Sequence, residues 1–589
     1  ISVVAVGNGA GAAAVGGAVS VNNIISQTRA FIANGATVNA RGNGAGIEVY
    51  TGEIGDPEDL PSGAWDEDYS DLDLNGDGIP DVQPVDKNID IDNDGDPDGN
   101  VDGGIDFTVS SKSKDENDED VIDADKNVQV DGKGLGEKLT ETINGLSVVA
   151  VSNQKIITTT IAIAGAGAAG VTGAVNTNVL AAVTEAYVGD NGKINYNNDG
   201  AAANQSVLVK AVSNALVVMT EGSIGGAGAA GVSGSVNIGI ISNITKAHLG
   251  GAVNARRDIE VMALSHEDFV IVTLNASGGG AAGVGGAVGA GVLNGETLAY
   301  VHAGADEKAQ HNIYILAQDN AIFNIDSFGG AGGGAAGVGG SLAIAIQTNT
   351  TKAYVEDALN AAQAARLFAA GTLKIEAQSY QNIINLVATG AGGGAAGVAG
   401  SIGIKILNSV TSAYAGKYAK INQSGTGSDN QDVVINAINQ VVSVGMAGTG
   451  AGGGAAGVGA AVDVTVIRNL ALAYIGDRAE VNAKNDITLN ADSDKYVNNL
   501  VAAGAGGGAA GVAGAISIIV INDLMDEESL NALKDSEGGE GNTADFVDGE
   551  LSQDKITGQL GDSEHTRATE SAVAEATRDL EVSSYLNDQ

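Results

Sequence analysis

Apolar and polar residues alternate over long stretches of this chain, and the alternation returns again and again in near-copies. An Ile/Val-x-Ile/Val-x-Ala run stands at Leu146 to Ala150, Val207 to Ala211, Ile259 to Ala263, Ile313 to Ala317, Leu373 to Ala377, Val433 to Ala437 and Ile487 to Ala491. A second alternating run follows in each copy, as in Ser235 to Ile241 and Ser401 to Leu407. Period-two alternation is the mark of a β-strand. Glycine, threonine and asparagine fill the rest of the frame, which disfavours helix. Short stretches such as 355–369 and Asp526 to Lys534 read as helical.

Between the paired runs lies a glycine-alanine block. It is complete as Gly-Gly-Gly-Ala-Ala-Gly-Val at Gly332 to Val338, Gly392 to Val398, Gly452 to Val458 and Gly506 to Val512, and looser copies end at Val15, Val171, Val232 and Val284. No residue of the block carries a nucleophile, acid, base or metal ligand, so its value is steric: it lets backbones come close. After one long gap from Val15 to Val171, the motif valines recur with a period of roughly 52 to 61 residues. The residue before each alternating run keeps a constant distance from the glycine of GAAGV, as Asp258 does from Gly280 and Asp486 from Gly508. A second constant distance leads from the motif valine to an aromatic or histidine, giving Phe31, Tyr187, His248, Tyr300, Tyr354, Tyr414 and Tyr474. A frame of roughly forty residues therefore admits no insertion, and length varies only after the aromatic position.

These spacings predict an all-β chain, a right-handed parallel β-helix (β-solenoid) of Gly/Ala-rich repeats of roughly 52–61 residues. Each repeat is expected to make two or three coils of on the order of twenty residues, with variable turns along one edge. Stacking predicts a ladder of the seven aromatic positions, with His248 taking a tyrosine's place. It also suggests an amide ladder of Asn243, Asn349 and Asn469. The glycine block itself is expected to be buried against a neighbouring coil or a neighbouring fibre.

Composition narrows the class. Among 589 residues there are 88 glycines but only 5 prolines, too few for a collagen-like rod, and there is no cysteine for a disulfide framework. A formal charge of −43, with lysine and arginine forming no basic cluster, argues against nucleic acid as a partner. No run of roughly twenty strongly apolar residues suggests a membrane span. Composition shifts divide the chain into a first module at 1–52, an acidic insertion at 53–125, repeats at 126–522, a second acidic insertion at 523–566 and a strand segment at 567–589.

The first insertion carries the clearest candidate site. Asp73, Asn75, Asp77 and Asp81 follow D-x-N-x-D-G-x-x-D, and Asp90, Asp92, Asp94, Asp96 and Asp98 form a second loop of the same kind. Oxygen donors at alternate positions, with a glycine at the sharp turn, suit calcium. Both loops lack a glutamate at the twelfth position, where Pro84 and Val101 stand, so an EF-hand is excluded. The loops resemble those of thrombospondin type 3 repeats and dockerin-like modules, which implies that calcium organises them.

The two ends of the chain are complementary halves of one module: joined, the stretch from Asp579 through to Gly11 would match the span from Asp258 to Gly280 to within a single position. This leaves two readings, an excerpt of a longer repetitive chain or subunits that associate head to tail. Repeated GAGGGAAGVGG followed by Ser-Val-x-Val and Thr-x-Ala-Tyr-Val resembles the repetitive regions of bacterial filamentous adhesins, of the filamentous haemagglutinin and leukotoxin-like exoprotein type. The resemblance covers roughly 1–52 and 145–522, and neither insertion. It implies a β-helical rod exported to the bacterial surface or secreted as a filament. Its partners would be host or surface glycans or proteins and further copies of itself, head to tail or side by side. A structural matrix fibre is the alternative within that class. A carbohydrate-active β-helix enzyme is the alternative outside it, and needs clustered acids on one outer face. Acids within the repeats are scattered and the five histidines lack metal-ligand spacing, so the expectation is a non-enzyme.

Overall fold

The computed structural model describes residues 1–50, 140–423 and 427–523. All regular structure among them is β, and the long strands pair in parallel. The chain divides into two units, Ile1–Thr465 with Leu470–Ile518, and Val466–Asn469 with Ile519–Gln589. Of the second unit only Val466–Asn469 and Ile519–Asp523 are described, as pieces of strands Ala456–Ile475 and Ala510–Asp523.

The described residues make eight coils, of which the first seven have three walls. The first wall is built from Ser206–Ala227, Ile259–Gly279, Ile313–Gly333, Leu373–Gly393, Val433–Gly453 and Ile487–Gly507. The second comprises Ala230–Leu249, Ala282–Val301, Ala336–Val355, Ala396–Ala415, Ala456–Ile475 and Ala510–Asp523. In the first two coils the walls are continuous strands, Ser2–Ile32 and Gly145–Val188, which join both walls into one sheet. The third wall is short: Thr37–Val38, Lys193–Ile194, Ala252–Ala255, Asp306–Ala309, Arg366–Ala369, Lys420–Ile421 and Glu480–Val481.

Between the first two coils the register shifts by one residue at the Gly-Ala block, where Gly11 pairs with Ala166 but Ala13 with Ala169; from the second coil on, pairing runs from each module to the next without slippage. Val284 lies beside Val232 and Val338, and Ile313 beside Ile259 and Leu373. One module is therefore one coil, not the two or three expected from a twenty-residue coil. Strands of 20 and 21 residues far exceed the usual length. They persist because no residue inside them breaks the ladder and each strand lies between near-copies of itself.

The Gly-Ala turn joining the first two walls is part of the ladder. Ala335 N–H donates to Ala281 at 2.8 Å, Ala395 to Ala335 at 2.8 Å and Ala455 to Ala395 at 2.9 Å. Turn stacks on identical turn, which leaves those backbone donors satisfied and leaves no room for an extra residue. At the opposite end of each coil the chain turns into the third wall, and length varies there. His302–Ala305 suffices in one coil, where the next uses Glu356–Ala365, a loop rather than the helix expected for 355–369. Ile47–Tyr50 pairs antiparallel with Thr140–Ile143 on the same side of the frame, after the third-wall strand of the first coil.

Inside, a coil is a wedge with three zones. At the apex a Cβ on Gly333 would overlap the Ala336 carbonyl, and one on Gly337 the Gly392 carbonyl, so backbone meets backbone. At the base, where the third wall closes the coil, Ile313, Ile315, Val355, Leu367, Leu373 and their counterparts form one apolar cluster. Between these ends the interior mixes sizes and polarities. Phe269 and Phe323 stack at 4.8 Å, and the space they need comes from Gly239 and Gly291 on the facing wall. In the coil where Lys405 replaces that small residue, Gly445 is the position that yields room. Large faces small across the wedge, so each layer is filled once.

Candidate interaction faces

The nine candidate calcium ligands, Asp73 through Asp98, lie outside the described residues. So do the whole of the first insertion, the second insertion beyond Asp523 and the segment 567–589. Among the described residues no group of three or more histidine, aspartate or glutamate side chains is arranged to hold a metal ion. No helix among them is long and apolar enough to cross a membrane.

The aromatic ladder forms as expected. Phe31, Tyr187, His248, Tyr300, Tyr354, Tyr414 and Tyr474 stack with centroids 4.7 to 5.1 Å apart and planes within 14°. The rings stand on the outside of the second wall, near its base end. Because each ring covers its neighbour's face, the column offers edges and hydroxyls outward, not flat faces on which a sugar would stack. Burial against neighbouring rings pushes the Tyr300, Tyr354 and Tyr414 hydroxyls above their ordinary range, so the column is neutral.

The amide ladder does not form. Gly295 stands between Asn243 and Asn349, and Ser409 follows Asn349. Asn243 and Asn349 instead reach across the interior. Ser213 Oγ donates to Asn243 Oδ1 at 2.8 Å, Asn243 Nδ2 donates to Ser265 Oγ at 3.0 Å, and Asn349 Nδ2 donates to Asp319 Oδ2 at 2.7 Å. The interior also holds buried ionisable groups that no repeat spacing marks. Burial raises Glu221 to about 8. Glu267 and Asp319 interact directly, and burial holds Glu267 well above the ordinary carboxylate range and Asp319 at about 6. Lys405 and Asp463 form a buried ion pair with both N–O distances at 3.0 Å. Burial pushes that lysine down and that aspartate up, against their mutual attraction. These groups face other interior side chains, and burial disfavours their charged forms.

A second polar cluster sits beside the aromatic ladder. His248 Nδ1 and His302 Nε2 are 2.8 Å apart. His248 Nε2 is 3.5 Å from Glu185, and His302 Nδ1 lies 3.6 Å from Asp190 and 3.5 Å from Glu356. Burial, followed by the His302 charge, lowers His248 to about 3, so it is a neutral ring in the stack at ordinary pH.

The least expected feature is the outer face of the second wall near the apex. All eight motif valines point outward. From Val171 to Val512 they are 39% to 45% exposed, and Val15 is 78% exposed. Five outward rows follow one another along this face, represented in one coil by Val338, Gly340, Leu342, Ile344 and Ile346. Across the coils of the first unit these rows hold no charged residue, and only Asn23 and Thr177 are polar. Meanwhile Ser341, Ser401 and Asn237 point inward and are buried. The block is thus not buried as a whole. Its inward glycines are enclosed, its valine is exposed, and polarity is inverted because the thin interior admits only small side chains.

No family model matches the chain, and no curated protein and no solved structure matches it either.

Proposed function

We propose that this chain is a non-enzymatic fibrous protein of the filamentous adhesin type, a right-handed parallel β-helix displayed on a bacterial surface or secreted as a filament. The observation that carries the reading is the register of the coils, unbroken from the second coil on. From the second coil on, walls and apex keep one length, while the third-wall side accepts loops of different length and the large insertion between Ile47–Tyr50 and Thr140–Ile143. A scaffold that repeats itself and varies at one edge builds length and presents contacts. In this reading calcium organises the Asp73 to Asp98 loops. Host or surface glycans or proteins meet the acidic insertions, and further copies join head to tail or side by side.

Electron microscopy of the purified chain, paired with binding to glycan arrays and to epithelial or bacterial surfaces, tests it. Elongated particles that bind a surface through the first insertion support the adhesin reading. Compact particles that bind nothing overturn it. Fibres that bind only one another favour the structural-matrix reading, which the charge-free outer face also supports. Chelation tests the calcium part separately: protease cleavage within 73–98 should rise while the repeat core persists, and unchanged cleavage removes calcium from the account.

A further inference from the structure

We infer that the charge-free outer face of the second wall is the contact through which two copies of this chain lie side by side. The inference rests on the fibre reading for its biological use. The contact itself follows from three properties of the face.

The first is chemistry. In a chain with a formal charge of −43, five adjacent rows without a single charge form a continuous apolar strip. Scattered exposed valines need no partner, but a contiguous patch of this kind marks a contact surface. A nucleic acid or an anionic lipid surface would need cations here, and the rows contain none.

The second is size. From the Val338 row to the Ile346 row the face is about 26 Å wide, and the stacked strands extend it to about 900 Å². A stable dimer needs roughly 800 Å² per partner.

The third is relief. A Cβ added at Gly340 would meet nothing within 4 Å, and the same holds at Gly173, Gly234 and Gly514. These outward glycines are not required by the coil that contains them. They leave a trough between the Val338 and Leu342 rows. A twofold axis through the Leu342 row lays the Ile344 row of one copy into the Gly340 row of the other. The same operation sets the Val338 row against the Ile346 row, so the face is complementary to itself. Two sheets then pack face to face at about 10 Å, as in a β-sandwich.

Like-charged copies held by an apolar face have a distinctive salt dependence. Salt screens the repulsion between them, so association strengthens as ionic strength rises. Sedimentation velocity of the full chain at about 0.05 M and about 0.5 M sodium chloride reads this directly. We expect a monomer–dimer equilibrium that tightens with salt. Ile344→Lys combined with Ile404→Lys should weaken it at least tenfold. Gly234→Val combined with Gly340→Val should weaken it as well while leaving circular dichroism and melting unchanged, because both side chains enter open space. A chain that stays monomeric at high salt and high concentration overturns the inference, as does association that survives the glycine variants. Recruitment to vesicles of neutral phosphatidylcholine without self-association also overturns it, by assigning the face to lipid. Because surface binding and particle shape are read in separate experiments, failure here leaves the adhesin reading standing.

Discussion

The two ends of the wedge hold a coil closed by opposite means. At the base, Ile313, Ile315, Val355, Leu367 and Leu373 exclude water and join three walls by side-chain packing. At the apex there is almost no side chain to bury: Gly333 and Gly337 bring backbone against backbone, and turns hydrogen-bond to identical turns. A base of this kind tolerates imperfect filling, because neighbouring side chains relax into a gap. The apex has nothing that can relax. Its register is enforced by exclusion, and a single methyl in the wrong place forces two walls apart.

The largest expected effect of a substitution therefore falls on a residue with no side chain. Gly337→Val should cost more than about 4 kcal/mol, beyond the range of ordinary overpacking, because the obstacle is a carbonyl. Urea denaturation would measure it, and a loss under about 1 kcal/mol would break the comparison. At the base, Ile315→Ala should cost about 2–5 kcal/mol by leaving a cavity, with the coil register intact. Glu307 sharpens the contrast from the other side. It stands in the base column between Val253 and Leu367, is fully buried, and burial holds its carboxyl well above the ordinary range. Glu307→Leu should stabilise the chain at pH 8 by about 1–4 kcal/mol.

The buried acids together predict a pH trend. Glu221, Glu267, Glu307 and Asp319 all have folded values above their unfolded ones, so the folded chain keeps protons that the unfolded chain has released. Their contribution is fully present below the ordinary carboxylate range. It declines as pH rises, through about 6 for Asp319 and about 8 for Glu221. Each group contributes a slope of about 1.4 kcal/mol per pH unit between its two values. Denaturation midpoints should fall from pH 5 to pH 8, and Glu307→Gln should flatten the curve. The smallest effect belongs to the outward glycine of the same block. Gly332→Ala places its methyl in open space and should be neutral or stabilising by about 0.5–1 kcal/mol.

Much of this architecture is legible in the chain. The strands, the insertion-free frame and the aromatic ladder all follow from alternation and from the two constant distances, Asp258 to Gly280 and Val284 to Tyr300 and their counterparts, that flank the block. The number of coils per module does not follow from a typical strand length. Ala336–Val355 contains no proline, and its one turn-like dipeptide, Gly339-Gly340, lies inside a strand of 20 residues. The amide ladder failed because Gly295 and Ser409 occupy the same column as Asn243 and Asn349. Sidedness was the hardest to read. Binary pattern places Val and Ile inside and Ser and Asn outside, whereas near the apex the available volume decides, and Ser341 goes in while Leu342 goes out. The candidate calcium site rests on sequence alone, since its ligands fall outside the described residues.

The stacking of one module per coil also sets how such a chain would yield to force. A coil is bonded to the next along three walls and a turn, so it resists until its whole perimeter gives way, and it then releases all of its residues together. Stretched between its ends in an optical trap, the repeat region should lengthen in discrete jumps, one module at a time. Each jump would free about 190 Å of contour, the extended length of a single coil.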